Sequence, residues 1–386
     1  LKKLSYRQGG LRNIKPSFYR FKINHNKNNI YIMTINNKLL IFSTTLFFIL
    51  ISCSNKNKVV LNHSNSSFAN FPKEQNVSFE NLFEYKVGTP KAMKLVDSTL
   101  IIFNSTKKIK SFFYNYSIKS GQISRGYLHK GRGPKEALGA SCFGIVDNIL
   151  WVHDVTLKKI FIMDKKEILS GNISSFKAYP LEGNYYQISV IDNSSILING
   201  KIDSNYKIQE INFSERLLNE FGEFENLPKD LPLDALKDAY HSFFFLSPSK
   251  DKVAISYLYT DLLEIYNLKS PYENETVQGP EGINIEFEIG KRQYYNYMKK
   301  NEGIRKTFLA GAVTDKHIYL AYSGLSYAER NDINYCKYVY VYDWNGTPVK
   351  KLNLNKRIMG LAVSGDDRTI YSYDADTGFI VKAEIE

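Results

Sequence analysis

The stretch SCFGIVDNILWVHDVTLKKIFIMDKKEI, residues 141–168, decides the fold. An apolar run ends at Val146, Asp147-Asn148 turns the chain, and a second apolar run starts at Ile149. The same phrase recurs around Asp97, Asp192, Asp251, Asp315 and Asp366. Successive markers are 50, 45, 59, 64 and 51 positions apart. A period of this size, filled with short strands, indicates one supersecondary unit repeated. Units of roughly 40–50 residues with about four strands each are β-propeller blades. The reading is therefore all-β, a six-bladed propeller over residues 76–386. Its last blade has only three strands, 358–363, 369–373 and 379–385. The unused run VSFENLFEYKV, 77–87, is expected to pair beside 379–385 and close the ring. A pair of β-sandwiches does not account for six similar units ending in a three-stranded remnant.

The aromatic content of 14 % suits such a fold, because aromatics favour strands and fill sheet-to-sheet cores. The formal charge of +12 has a local origin. Residues 1–53 carry nine Lys or Arg and no Asp or Glu, and the remainder holds 42 basic against 39 acidic side chains. A nucleic-acid partner loses its support once the leader is set aside.

That leader has its own logic. From Met33 a single Lys38 precedes the apolar run 39–51 and then Ser52-Cys53. Thirteen residues are too few for a membrane-spanning helix, which needs about 20. They suit the apolar core of a secretory signal. Leu50-Ile51-Ser52-Cys53 resembles a bacterial lipobox, which implies cleavage before Cys53 and acylation of that residue. Residues 1–32 read as over-extended translation, 33–52 as the signal peptide, and 53–75 as the lipidated Cys53 with a polar tether. Ser54 after the cysteine argues for the outer membrane. Cys142 and Cys336 read as buried, unpaired thiols.

Two insertions interrupt the repeats. In LPKDLPLDALKDAY, 227–240, Pro232 at a first helical position predicts one short helix. GKRQYYNYMKKNEGIRK, 290–306, is basic, aromatic and expected to be partly helical. The hairpin at 338–354 turns at Asn345-Gly346, a pair that supplies positive φ.

Three segments resemble the TolB-like six-bladed propeller lipoproteins of the Bacteroidetes. They are Gly131-Arg132-Gly133-Pro134-Lys135-Glu136, HIYLAYSGLSYAER (317–330) and YVYVYDWNGTPVKKLNL (338–354). The resemblance covers residues 76–386 and implies a fold and an envelope location more than a reaction. The chain departs from the family at Lys135-Glu136-Ala137, where a Gly and then an aromatic are expected.

No catalytic motif stands out. Ser323-Gly324-Leu325-Ser326 lacks the strand–turn–helix setting of a nucleophile elbow. His153-Asp154 are adjacent strand residues that point to opposite faces, so Asp154 reads as a structural turn residue. No D-x-D-x-D-G loop or paired-His motif points to a metal, and no cofactor is implied. Arg132 offers a fork for a carboxylate or phosphate; alternatively the two glycines and Pro134 only shape the turn, with Arg132 and Glu136 paired. Tyr294, Tyr295 and Tyr297 beside Lys291 and Arg292 form either an exposed contact surface for an envelope protein or glycan, or the inner face of a packed helix. The expected function is a membrane-anchored binding module. The alternatives are a propeller hydrolase or lactonase with a metal at the channel mouth, and a glycan-binding lipoprotein of an uptake system.

Overall fold

The computed structural model describes residues 58–61, 66–104, 109–171, 173–174, 176–201, 203–224 and 227–386. The leader, the apolar run 39–51 and Cys53 lie outside the described residues. No helix among the described residues is long and apolar enough to cross a membrane.

Five blades begin with the inner strands Pro90–Val96, Ala140–Val146, Ile188–Val190, Ser242–Leu246 and Phe308–Val313. Each continues outward through antiparallel neighbours. The long strand Pro348–Val363 serves two blades. Its first half ends blade 5, and its second half begins blade 6, followed by Thr369–Asp374 and Phe379–Glu384. Glu80–Glu84 lies antiparallel beside Phe379–Glu384 as the outer strand of blade 6.

The second strand of each blade is apolar on both faces because it packs between two neighbouring sheets. Leu100, Ile101, Ile102 and Phe103 are all fully buried. Ile101 and Phe103 face Leu150, Val152 and Phe161 of blade 2, whereas Leu100 and Ile102 face Ala362, Tyr371 and Ile380 of blade 6. Four further apolar clusters join blades 2 and 3, 3 and 4, 4 and 5, and 5 and 6. Each junction of the six-membered ring is thus an apolar core.

The recurrent turn residues do two jobs. Asp97, Asp147 and Asp367 adopt left-handed backbone, with φ of 50°, 49° and 62°, which Asp tolerates better than most residues. Asp192 instead accepts from the N–H groups of Ser194 and Ser195 at 2.7 and 2.9 Å. At Asn345-Gly346 only Gly346 has positive φ, 77°. The Asp343 N–H donates to the Thr347 carbonyl, and Asp343 Oδ1 accepts from Asn345 and Thr347. This turn is the longer kind with one left-handed glycine, not the two-residue kind.

The described part of 53–75 is structured, which corrects its reading as a tether. Lys58–Leu61 pairs antiparallel with residues 285–288. Ser66–Ser67 lies parallel to the outer strand of blade 4, and Glu74–Val77 lies parallel to the outer strand of blade 5. With Glu80–Glu84 on blade 6, this N-terminal segment covers the outer edges of three successive blades. Unpaired edges invite association with other chains, and covering them removes that liability.

Leu233–Ala239 is the expected helix, with Pro232 one position earlier, as its N-cap. Residues 290–306 are not helical. Ile285–Arg292 and Tyr295–Lys299 form an antiparallel hairpin. The strict alternation of Ile285-Glu286-Phe287-Glu288, buried, exposed, buried, exposed, drives it into a strand. Gly290 is required there, because a Cβ would lie 2.4 Å from the Tyr297 ring. The helix closes the free edge of this hairpin with side chains. Asp234 accepts from the Asn296 N–H at 2.5 Å and Asp238 from the Met298 N–H at 3.1 Å. Helix, hairpin and Lys58–Leu61 share one apolar cluster that includes Val59, Leu61, Ala235, Leu236, Phe287 and Met298.

Candidate functional site

Connections from an outer strand to the next inner strand all emerge on one end of the ring, where the inner strands start. Both insertions are of this type. So is the loop 131–139, which joins Tyr127–Lys130 to Ala140–Val146. The helix and hairpin therefore form an accessory layer at the same end of the ring as loop 131–139.

The hairpin brings three of its five candidate residues together. Arg292 Nη1 donates to the Tyr295 hydroxyl at 2.8 Å, and its guanidinium lies 5.7 and 5.2 Å from the Tyr295 and Tyr297 ring centres. Tyr294 stands at the turn, 87 % exposed, and Tyr295 is 45 % exposed. Tyr297 is half-buried and Lys291 is exposed. Of the two readings, an exposed surface and a buried helix face, this geometry matches the first for Tyr294 and Tyr295.

Arg132 and Glu136 do not pair. Arg132 is exposed, whereas Glu136 Oε2 turns inward and accepts from the Gly133 N–H at 2.7 Å. A Cβ on Gly131 would lie 2.0 Å from that same oxygen, so the glycine is fixed by the turn. The loop lies on the connection between blades 1 and 2, and the hairpin on that between blades 4 and 5.

Asp154 is fully buried, and its carboxylate holds the far end of the loop. It accepts from Leu138 N–H at 2.6 Å, Gly139 N–H at 3.1 Å, Thr156 N–H at 2.9 Å and Leu157 N–H at 2.8 Å. Asp261 acts likewise in blade 4, accepting from the N–H groups of Glu281, Gly282 and Ile283 at 3.1, 3.1 and 2.8 Å. Sequence reasoning passed over Asp261; the signal was a second polar turn, Thr260-Asp261, after an apolar strand.

His153 contacts the Ser141 hydroxyl through Nδ1 at 3.1 Å. Burial pushes its pKa down to about 4, although the Asp154 charge pulls upward. The unfolded chain titrates near 6.5, so between these values it binds the extra proton. Stability should then fall as pH drops from about 6.5 towards 4, by a few kcal/mol at most. Melting curves across that range should show the fall, which His241, also pushed down to about 4 by burial, shares, and His153→Asn should make it shallower. An unchanged slope in the variant would remove His153 as the cause.

Around the mouth, Lys91, His241 and Lys306 sit at the starts of the inner strands of blades 1, 4 and 5. Tyr186 precedes the inner strand of blade 3 and lies 5.5 Å from the His241 ring. The hydroxyls of Tyr259 and Tyr327 are 3.5 Å apart. Among the described residues no three His, Cys, Asp or Glu side chains gather as a metal-binding group. Cys142 and Cys336 are free thiols in blades 2 and 5.

A family model for the TolB-like 6-blade propeller-like proteins matches residues 67–366. The chain belongs to this family. No curated protein matches the sequence. Among solved structures, a Bacteroides fragilis protein described as exported is 13 % identical over 83 % of this chain and 99 % of its own, with a TM-score of 0.49. A member of the DUF4221 family from Bacteroides vulgatus is 8 % identical over 86 % of this chain and 99 % of its own, at 0.44. Streptogramin B lyase is 12 % identical over 80 % and 97 %, also at 0.44. The family gives this TolB-like chain its fold, and its function is argued from its own residues.

Proposed function

We propose that this TolB-like propeller is a binding module of the cell envelope, exported and held through acylated Cys53. The end of the ring that carries the accessory layer is its contact surface. The observation that carries this reading is the raised hairpin. Tyr294, 87 % exposed at the hairpin turn, stands beside an Arg292 placed against the Tyr295 and Tyr297 rings, and Tyr and Arg are the side chains enriched at interface hot spots. Binding residues commonly sit on loops fixed by a rigid scaffold, and here the helix, Lys58–Leu61 and the channel rim fix the hairpin.

Cross-linking in intact envelopes tests this reading. Wild-type protein should recover a reproducible partner, and Tyr294→Ala with Arg292→Ala should reduce recovery about tenfold or more, as for an interface hot spot. Equal recovery by both forms would sink it. Cys53→Ser should release the protein from the membrane fraction; retention there would remove the lipid anchor. The exposure of Tyr294 and Tyr295 also favours a glycan as the partner, because sugar rings stack on open aromatic faces. Polysaccharide retention by wild-type protein, lost in Tyr294→Ala, separates that case from a protein partner.

A further inference from the structure

A pocket of about 230 Å³ opens at the junction of blades 1 and 2, beside their outer strands. One wall is the strand Tyr127–Lys130 of blade 1, with Lys135 of loop 131–139 next to it. The opposite wall is Gly171, Ile173 and Phe176, which follow the short helix Lys165–Ser170 of blade 2. The floor is apolar and fixed by packing. Leu128 and Met163 are 4 % and 1 % exposed in the core that the two blades share, and Ile173 and Phe176 pack against that core. Asn115 ties the walls together. Its side-chain N–H donates to the Ile168 carbonyl at 2.7 Å, and its Oδ1 accepts from the Tyr127 hydroxyl at 3.0 Å.

The rim is cationic. Arg125, His129 and Lys135 line the pocket, and among the described residues no Asp or Glu does. Other cations of this fold are neutralised: Lys207 by Glu264 at 2.6 Å, Lys356 by Asp374 at 2.8 Å and Arg305 by Glu281 at 3.0 Å. Lys135 Nζ lies 3.5 Å from the Ser174 carbonyl, so it reaches from the loop towards the far wall. His129 meets the Ser111 hydroxyl through Nδ1 at 2.9 Å, which leaves Nε2 for a partner. The strand that carries this rim is strained. Leu128, although buried, has φ of 51°, a left-handed conformation that leucine seldom adopts. Backbone of this kind persists only where its surroundings over-determine it, and it gathers at binding sites.

We infer that this pocket binds a small amphipathic anion, a carboxylate or phosphate on a compact apolar body. The Arg125 guanidinium offers paired donors to the anionic group, and Lys135 and His129 Nε2 add to them. The apolar body rests on Leu128, Met163, Ile173 and Phe176. A concave, largely apolar pocket with a few converging polar groups is the usual form of a small-molecule site. A cleft lined by one sign of charge also raises the local concentration of the opposite sign. The pocket belongs to the junction of blades 1 and 2 and the exposed hairpin to the connection between blades 4 and 5, so this ligand is independent of the partner proposed above.

Calorimetric titration of the full chain with octanoate and with phenyl phosphate tests this, with octanol and inorganic phosphate as the two halves of such a ligand. At least one amphipathic anion should bind saturably at a single site, and neither half should come within tenfold of it. The tighter anion identifies the anionic group. Arg125→Met and Lys135→Met should each weaken binding about tenfold, as expected for a lost charged hydrogen bond. Both variants should melt with wild type, because both side chains are exposed. Failure of both anions to bind, equal binding by octanol or inorganic phosphate, or unchanged binding by the Arg125→Met/Lys135→Met double variant would overturn the proposal. Tyr294→Ala should leave the titration unchanged. Weaker anion binding in that variant would place the anion at the hairpin and overturn this site, while leaving partner capture to be judged by cross-linking.

Discussion

Phe71→Ala is expected to destabilise the protein by roughly 3–5 kcal/mol, the range for removing a buried aromatic. Phe71 is 7 % exposed and belongs to the N-terminal segment that runs over blades 4, 5 and 6. Its ring centre lies 4.9 Å from that of Phe68, 4.8 Å from Tyr340 and 5.6 Å from Tyr342. It shares a cluster with Leu263 and Ile265 of blade 4 and Phe308, Ile318 and Leu320 of blade 5. The substitution thus opens a cavity at a blade junction and also frees the strap that covers two sheet edges. Both effects lower the melting temperature. Phe71→Leu should recover more than half of the loss, because it refills most of the volume. If the strap does not dock, Phe71→Ala will behave as a surface change, within about 0.5 kcal/mol of wild type. Increased self-association of the alanine variant would further indicate that the edges of blades 4 and 5 have become accessible.

The blades were legible in the sequence because their central strands are buried on both sides. Leu100–Phe103 and Leu150–Val152 leave continuous apolar runs, and the Asp turns between them repeat. The strap was not legible. Ser66–Ser67 and Glu74–Val77 join the sheets through backbone hydrogen bonds at parallel edges, which impose almost no side-chain pattern. Only Phe68 and Phe71 marked it, within an otherwise polar stretch. The period of the hairpin is set by the alternating Ile285–Ile289 run, which lies outside the basic, aromatic stretch 290–306 whose composition suggests a helix. Of the candidate residues, the tyrosines were identifiable by type, but not which of them would be exposed.

Asp154→Ala should cost about 3 kcal/mol or more and should loosen loop 131–139 selectively. The carboxylate is fully buried and serves four backbone N–H groups from two segments, 138–139 and 156–157. Alanine leaves all four donors without that partner, and an unsatisfied buried donor costs about 1–3 kcal/mol where water cannot reach it. Some will find water, so the total falls below a simple sum. Asp154→Asn keeps one acceptor oxygen and loses the charge, so its loss should be roughly half as large. The order alanine below asparagine below wild type in melting temperature is the first check. Limited trypsin digestion is the second, because Arg132 and Lys135 lie exposed in the loop that Asp154 anchors. Cleavage there should speed up in the alanine variant well before global unfolding, since local opening draws on the least stable contacts. If cleavage follows global melting in both proteins, the carboxylate stabilises the blade as a whole and does not hold the loop. If Asp154→Asn falls as far as Asp154→Ala, the anchoring depends on charge, and the same dependence is then expected at Asp261, which holds the connection between blades 4 and 5 in the same way.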